Sequence, residues 1–561
     1  MIELLIKREM NLKNELLSGL TVALALVPEA VAFAFVAGVD PSVGLWAAFF
    51  VGFITSLVGG RPGMISGATG AMAVAMTAFV ILYGLEYLFA AVILCGIIQI
   101  LCGVCRVGKY VRLLPHSVML GFVNGLAIVI GLAQFGQLKA NHAVTFNEHT
   151  QSFEIVGQWM SSGPMLVTLS LIALTMAIIY LFPRLTKAVP GTLVAIVAVT
   201  LLVQFTPLKS FTVQDSVDRM DVLAQEKAEK TRIFESEKPS LVYSKLNDRG
   251  HDLAAEPIVV TKTSTERQAG YFAIPSIPFN WESFVVIFGL AATLAATGLI
   301  ESLMTLTLID ELTETRGSSN RECIAQGLAN MFSGFFGSMG GCAMIGQSMI
   351  NIRSGGRHRL SGITAALCLL AFIMIPPLWN CIGMIPVPAL IGVMFIVVIA
   401  TFEWTSLRLW NKIPKSDMFV IVMVSAITVA FDLAIAVAAG VVISALVFAW
   451  EKSHQIEAKT EQDDDAKLYE LSGPLFFGAV TNFKEIFTPA EDPETVTIEF
   501  KNTRVYDHSA LEAINGVCAR YRDLGKTVVL KSLSDDCLRM LDKAEPIMEV
   551  NIDTTDRHAA V

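Results

Sequence analysis

The chain has 561 residues, 54% hydrophobic and only 16% charged, against roughly 25% charged in an ordinary soluble domain. With the charges gathered into loops and the C-terminal end, this excludes a soluble enzyme over most of the length. The net charge of −9 averages a membrane part over polar appendages, so it selects no partner and gives no reason to expect nucleic-acid binding.

The N-terminus, MIELLIKREMNLKNELLSG, is polar and basic and is expected not to be a cleaved signal. Fourteen apolar segments follow, at 14–35, 42–60, 69–83, 86–105, 115–138, 164–183, 189–206, 283–309, 320–337, 343–352, 358–377, 382–402, 416–430 and 433–450. Runs near 20 residues suit about 30 Å of hydrocarbon. The expected fold class is therefore an α-helical polytopic membrane protein with 14 transmembrane segments. An even count puts both termini on one side of the lipid bilayer. With that side in the cytosol, its short loops hold 17 basic residues, from Lys7, Arg8 and Lys13 to Arg408, Lys412 and Lys415, while the short outer loops hold only Lys139. Basic residues are concentrated this way on the cytoplasmic side of membrane proteins. The expected location is the plasma (inner) membrane, with cytosolic N- and C-termini. Residues 207–280, with 10 basic and 11 acidic residues, form a long extracytoplasmic insertion. Its Gln225–Lys238 stretch has a helical composition and shows no chemistry.

The third and tenth segments are too short to span. The third begins only after Arg61-Pro62-Gly63 and Ser66-Gly67-Ala68-Thr69-Gly70, the tenth after Gly337-Ser338-Met339-Gly340-Gly341-Cys342, where glycine and proline delay the helix. Each leaves about ten residues, or roughly 15 Å. They stand third in the first seven segments and third in the second seven. An odd number of spans per half inverts the second copy, and interrupted segments at matching places point to a transporter's binding site. Two half-helix N-termini meeting near the midplane would attract an anion without a lysine or arginine. Close helix packing would also use such glycines.

Few acids lie inside a span. Glu29 follows Pro28 in the first segment and Glu301 lies in the eighth, its equivalent in the second half. Helical spacing sets Phe33 on the face of Glu29 and Thr305 on that of Glu301. A carboxylate beside an anion site must be neutralised when the anion binds, by a proton or by Na⁺, and either supplies coupling. A protonated acid bonded to backbone is the alternative. His116 reads as interfacial, and Asp432 sits in a tight outer loop. None of the nine cysteines falls in the long insertion, so no disulfide framework is implied. Cys102-x-x-Cys105 lacks the partners of a metal site and reads as packing. No cofactor or metal is expected beyond Na⁺ or H⁺ as a coupling ion.

These residues resemble the SulP (sulfate permease) family. The resemblance runs from about residue 14 to 550, most specifically in LVPEAVAFAFVAGVDPSVGLW (Leu26–Trp46), Ser66 to Gly70, and Glu301-Ser302-Leu303 through Asn351-Ile-Arg-Ser-Gly-Gly-Arg357. It implies a 7+7 inverted repeat of core and gate domains, homodimers and an elevator-like motion. Glu29 and Phe33 look like the family's substrate-lining pair. Ala68, Thr69 and Gly70, with Ala343, Met344 and Ile345, match the starts of the two half-helices. Glu301 and Thr305 match the sodium site of the sodium–bicarbonate branch. That branch has Asp where Glu301 stands and a Thr near Ile345, departures that leave proton coupling open. There is no basic residue at the start of the tenth segment, unlike several animal members.

From about Lys467, strand-like Leu468–Phe477, Thr495–Phe500 and Thr527–Leu530 and helical Ser509–Arg522 and Ser534–Leu541 resemble a STAS domain, a small α/β fold. Asp507-His508-Ser509 stands at its signature turn, where Ser509 would cap the helix or take a phosphate; dimer contact or regulation is the domain's expected work. The organisation is thus a transmembrane anion-transport domain over 1–455 and a cytosolic STAS domain over 465–555. The function expected is secondary active transport of a small inorganic anion, sulfate or bicarbonate. An uncoupled channel or exchanger for chloride or bicarbonate, a small-dicarboxylate transporter and a membrane sensor stay open, and no enzymatic activity is expected.

Overall fold

The computed structural model describes residues 11–534 and 537, apart from 110–114, 139–142, 148–151, 157–158, 185–189, 207, 209, 217–268, 409–411, 413, 431–432 and 464–465. The chain forms two compact units, Met1–Gly440 and Val441–Val561; the division falls inside the last apolar helix.

Each of the fourteen apolar segments is a helix. The first half holds α1 (Leu12–Ala37), α2 (Pro41–Val58), α3 (Gly70–Tyr83), α4 (Leu85–Val104), α5 (His116–Gly136), α6 (Ser162–Leu181) and α7 (Gly191–Phe205). The second holds α8 (Trp281–Thr313), α9 (Ser319–Phe335), α10 (Ile345–Arg353), α11 (Arg359–Met374), α12 (Pro376–Gly383), α13 (Val387–Thr401), α14 (Trp404–Arg408), α15 (Lys415–Ala430) and α16 (Leu433–Ser453), of which the short α12 and α14 are additions to the expected set. Among the described residues, six helices are long and apolar enough to cross a membrane unaided. The eleventh segment ends earlier than its apolar run, because α11 and α12 meet at an 84° bend. Pro376 and Pro377 follow that bend, and proline both lacks an N–H and pushes the preceding residue out of the helical region.

α1 is the most buried helix of the membrane unit. Asn11 caps it by accepting from the Asn14 N–H at 3.3 Å, and Gly38, at φ +73°, ends it in a left-handed turn. Pro28 lies in its interior and deprives one carbonyl of its helical donor. α4 packs on α9 with Gly96 against Gly327, where a Cβ on either would stand 2.5 Å from the other's carbonyl oxygen. Only glycine permits that approach.

Several loop cations have structural partners. Arg359 donates to the carbonyls of Ser56, Leu57 and Gly59, and Arg321 to that of Val58. They close the C-terminal end of α2, where carbonyls lack helical donors and the helix dipole is negative. Arg61 pairs with Asp310 at 3.1 Å. From the long insertion, Val213 donates to the Ile385 carbonyl at 2.9 Å, and the Phe211 carbonyl accepts from Val387 at 2.8 Å; Gln225–Lys238 lies outside the described residues, as does Asp432. His116 is exposed at the start of α5. Among the described residues this unit also has four short strands: β1 (Ser66–Gly67) before α3, a hairpin of β2 (Ala143–Asn147) and β3 (Ser152–Val156) after α5, and β4 (Cys342–Ala343) before α10.

The second unit is a four-stranded sheet of order β5 (Glu457–Asp463), β6 (Ala466–Leu475), β7 (Thr495–Val505) and β8 (Thr527–Lys531). β5 and β6 are antiparallel; the other pairs are parallel. α17 (Val480–Glu485) and α18 (His508–Asp523) supply helical cover, and Tyr469, Phe483, Ile498, Ile514 and Tyr521 are part of one core. Ser509 does not cap α18. Asp507 does, its carboxylate accepting from Ala510 N–H at 2.9 Å and from Phe477 N–H at 2.7 Å, so Ser509 is already inside the first turn. Aspartate with extended backbone is among the strongest N-caps. The expected helix over Ser534–Leu541 falls almost entirely outside the described residues.

Among the described residues of this unit one acid is buried, Asp492. It accepts from Lys467 at 2.6 Å, Tyr469 at 2.8 Å and Thr488 at 3.1 Å, and from Tyr521. Burial pushes its carboxyl up, but those four donors outweigh burial and hold it below the usual carboxylate range. A lowered folded-state pKa gives stability that is present above the unfolded value and lost as pH falls through the folded one. Asp492→Asn is expected to cost roughly 2–4 kcal/mol at neutral pH, since it weakens a buried ion pair and leaves a tyrosine hydroxyl badly paired. It should also flatten the acid limb of stability in denaturant unfolding of the full chain. An acid limb identical to wild type would refute the assignment.

Candidate functional site

β1 and β4 pair antiparallel, Ser66 with Ala343 and Gly67 with Cys342. The pairing continues one residue on, where Met344 N–H donates to the Ile65 carbonyl at 2.9 Å and the Ser348 hydroxyl accepts from Ile65 N–H at 2.9 Å. Antiparallel strands leave a ladder in opposite directions. Each then turns into a helix, α3 beginning three residues after β1 and α10 two residues after β4. The caps, Thr69 and Met344, are extended and make no side-chain bond to the first turn. The Thr69 hydroxyl instead meets Cys342 Sγ at 3.1 Å. Both half-helices therefore start beside one ladder with first-turn N–H groups that no side chain caps, each end carrying roughly half a positive charge.

α1 joins the two starts. The Phe33 ring lies against the first residue of α3, its Cε1 2.7 Å from where a Cβ of Gly70 would stand. One turn earlier, Glu29 Oε1 accepts from Gln347 Nε2 at 2.8 Å, and Gln347 is the third residue of α10. Glu29, Phe33, Ala68, Thr69, Ala343 and Met344 are all buried, with Ile345 half-buried. Next to it, Gly346 is exposed, with nothing within 4 Å of where its Cβ would stand. The site is thus closed on the α1 side and open at the first turn of α10.

Glu301 reaches the same ladder from α8. Its Oε2 accepts from the Cys342 thiol at 2.9 Å, so Cys342 bridges Glu301 and Thr69. The neighbouring Ser302 hydroxyl accepts from Ala343 N–H at 3.1 Å. Thr305 is buried, and its hydroxyl donates to the Glu301 backbone carbonyl at 2.8 Å rather than to the carboxylate. Among the described residues no group of His, Cys, Asp and Glu has the clustering of a metal site.

Such an arrangement, two helix starts on an antiparallel ladder with an acid from each half, suits a small anion and a neutralising ion. The family model described as the Sulfate permease family matches residues 12–424. The chain belongs to the sulfate permease family. A STAS domain matches residues 457–558, as the resemblance implied. Within the family, the putative sulfate transporter YbaR of Bacillus subtilis is 37% identical over 525 residues, 93% of this chain and 95% of that one. The bicarbonate transporter BicA of Picosynechococcus is 27% identical over 569 residues, 95% of this chain and 91% of that one. The solved transmembrane domain of a cyanobacterial BicA matches at TM-score 0.60 and 27% identity, covering 77% of this chain and 98% of that one. SLC26A9 matches in fold at TM-score 0.69 and 16% identity, covering 97% of this chain and 88% of that one. Sulfate permease membership thus comes with a helical transmembrane fold and an appended STAS domain.

Sequence reasoning missed Gln347, Cys342 and Ser302, which touch the acids and the ladder directly. It also missed the polar support behind them. Asn330 accepts from Gly341 N–H at 2.8 Å and donates to Gln99 at 2.9 Å, while Gln326 donates to Ser66 and to Glu322, each at 2.9 Å. A signal was present in α9, which carries Glu322, Gln326 and Asn330 at four-residue spacing in a membrane segment. That polar stripe marks a face turned inward.

Proposed function

We propose that this protein is a secondary active transporter of a small inorganic anion, sulfate or bicarbonate, held between the starts of α3 and α10. The observation that carries this reading is the β1–β4 ladder, beside which two uncapped helix starts meet Glu29 and Phe33 from a single face of α1. Relatives named for sulfate and for bicarbonate support an oxyanion. Glu29, Phe33, Ala68, Thr69, Gly70, Ala343, Met344 and Ile345 form the substrate site, and Glu301 with Thr305 the coupling-ion site for H⁺ or Na⁺. Transport runs by elevator-type alternating access in a homodimer, on a fourteen-span 7+7 inverted repeat in the plasma (inner) membrane with cytosolic termini. The loop-charge asymmetry supports that orientation, and the half-helices at matching positions support the repeat.

The test is radiotracer uptake of sulfate and of bicarbonate into proteoliposomes, each with and without sodium and with and without a pH gradient. Saturable uptake of one oxyanion, raised by one of the two gradients, is expected. Uptake indifferent to both gradients would leave a passive anion pathway and remove the coupling half of the proposal.

A further inference from the structure

Resting on the reading of the α3–α10 site as the anion site, the structure offers a reason for one class of anion over others. Gln347 is 2% exposed. Its Nε2 is given to Glu29 Oε1 at 2.8 Å, and its Oε1 is buried without a hydrogen-bond partner. While Glu29 is a carboxylate it only accepts, so the amide turns its N–H end to it and its own oxygen is left over. Gln347 stands at the third position of α10, and helical side chains lean back toward the N-terminus, which is the end where the first-turn N–H groups lie. The adjacent Gly346 is the open point of the site.

The site therefore presents two unlike features to an anion. The helix starts offer N–H donors, which suit any anion oxygen or a halide. The Gln347 oxygen is an acceptor, and an anion with no proton of its own leaves it unsatisfied. Leaving a buried acceptor without a donor costs about 1–3 kcal/mol. We propose that Gln347 is a specificity-determining residue and that the site is built for a monoanionic oxyanion carrying one hydroxyl, of which hydrogencarbonate is the small, flat example. Its two charged oxygens take the helix-start N–H groups and its O–H donates to Gln347 Oε1. Nitrate has the same charge and the same trigonal shape but no proton, so it isolates this single contact.

The experiment measures displacement of radiolabelled hydrogencarbonate from the purified full-length protein by nitrate, in sealed vessels at a pH where hydrogencarbonate is the dominant species. Wild type should favour hydrogencarbonate over nitrate by roughly tenfold to a hundredfold, the ratio that one satisfied buried acceptor supplies. Gln347→Met keeps length and removes the acceptor, so the ratio should fall to about one; because the change also takes the donor from Glu29, the ratio and not either affinity alone is the readout, and a melting transition of the purified variant shows it to be folded. Glu29→Gln lets the facing amide turn either way and should lower the ratio as well. A wild-type ratio near one, or a Gln347→Met ratio unchanged from wild type, overturns the assignment and leaves the anion site standing. Wild type that binds radiolabelled sulfate but neither of these anions overturns the assignment and leaves the anion site standing, whereas wild type that binds none of the three overturns the anion site itself, and this assignment with it.

Discussion

Glu301→Gln is expected to abolish accumulation of the anion against its gradient while leaving downhill movement in place. Glutamine preserves the length of the side chain and an oxygen to accept from the Cys342 thiol, which now donates to Oε2 at 2.9 Å. The Thr305 bond runs to the backbone carbonyl of residue 301 and does not depend on the side chain. The ladder, the caps and the Ser302 contact to Ala343 N–H are likewise untouched. What the amide cannot do is carry a proton, or a negative charge that holds Na⁺. A gradient of about two pH units is worth about 2.7 kcal/mol per proton, enough for an accumulation ratio of roughly 100 at one-to-one coupling. In the variant that ratio should fall to about one, with exchange at equal concentrations still measurable in the same vesicles. Full accumulation by the variant under either a proton or a sodium gradient would make Glu301 a structural acid, bonded to a thiol and nothing more.

What could be read from the chain follows from which physical signals are local. Apolar run length and loop charge are properties of a single segment, and every one of the fourteen segments is a helix. The half-helices were visible because glycine and proline suppress helix wherever they cluster, and the ladder turned out to lie at Ser66–Gly67 and Cys342–Ala343. Glu29 and Glu301 stood out because an acid in an apolar run is costly anywhere. Gln347, Cys342 and Ser302 gave no such signal: an uncharged polar residue costs little until a partner 41 to 318 residues away determines its bond. In the second unit β5 escaped for a different reason. Its sequence, EAKTEQD, has no apolar alternation, and as the outer strand beside β6 it needs none. Ser509 reads as a cap in the sequence, but Asp507, two residues earlier, supplies the same chemistry with a stronger preference and takes the position.

The ladder is also where a single methyl group should do the most harm. At Gly341 a Cβ would stand 2.0 Å from the Gly67 carbonyl oxygen and 2.6 Å from its carbon. Both neighbours are backbone, so no side chain can swing away, and the Gly341 N–H is itself held by Asn330. Gly341→Ala must therefore push β4 off β1, and the starts of α3 and α10 go with the strands they follow. Overpacking of this kind costs about 1–3 kcal/mol or more, and here the strain falls on the site. The variant should lose the thermal stabilisation that the anion confers on the wild-type protein, together with uptake, even where its own melting point falls by only a few degrees. Gly289→Ala makes the matched control. It lies in α8 with nothing within 4 Å of the added Cβ, and alanine in place of a helical glycine favours the helix by up to about 1 kcal/mol. Anion-dependent stabilisation should survive there unchanged. If Gly341→Ala kept it too, the anion would have to be held somewhere other than beside the β1–β4 ladder.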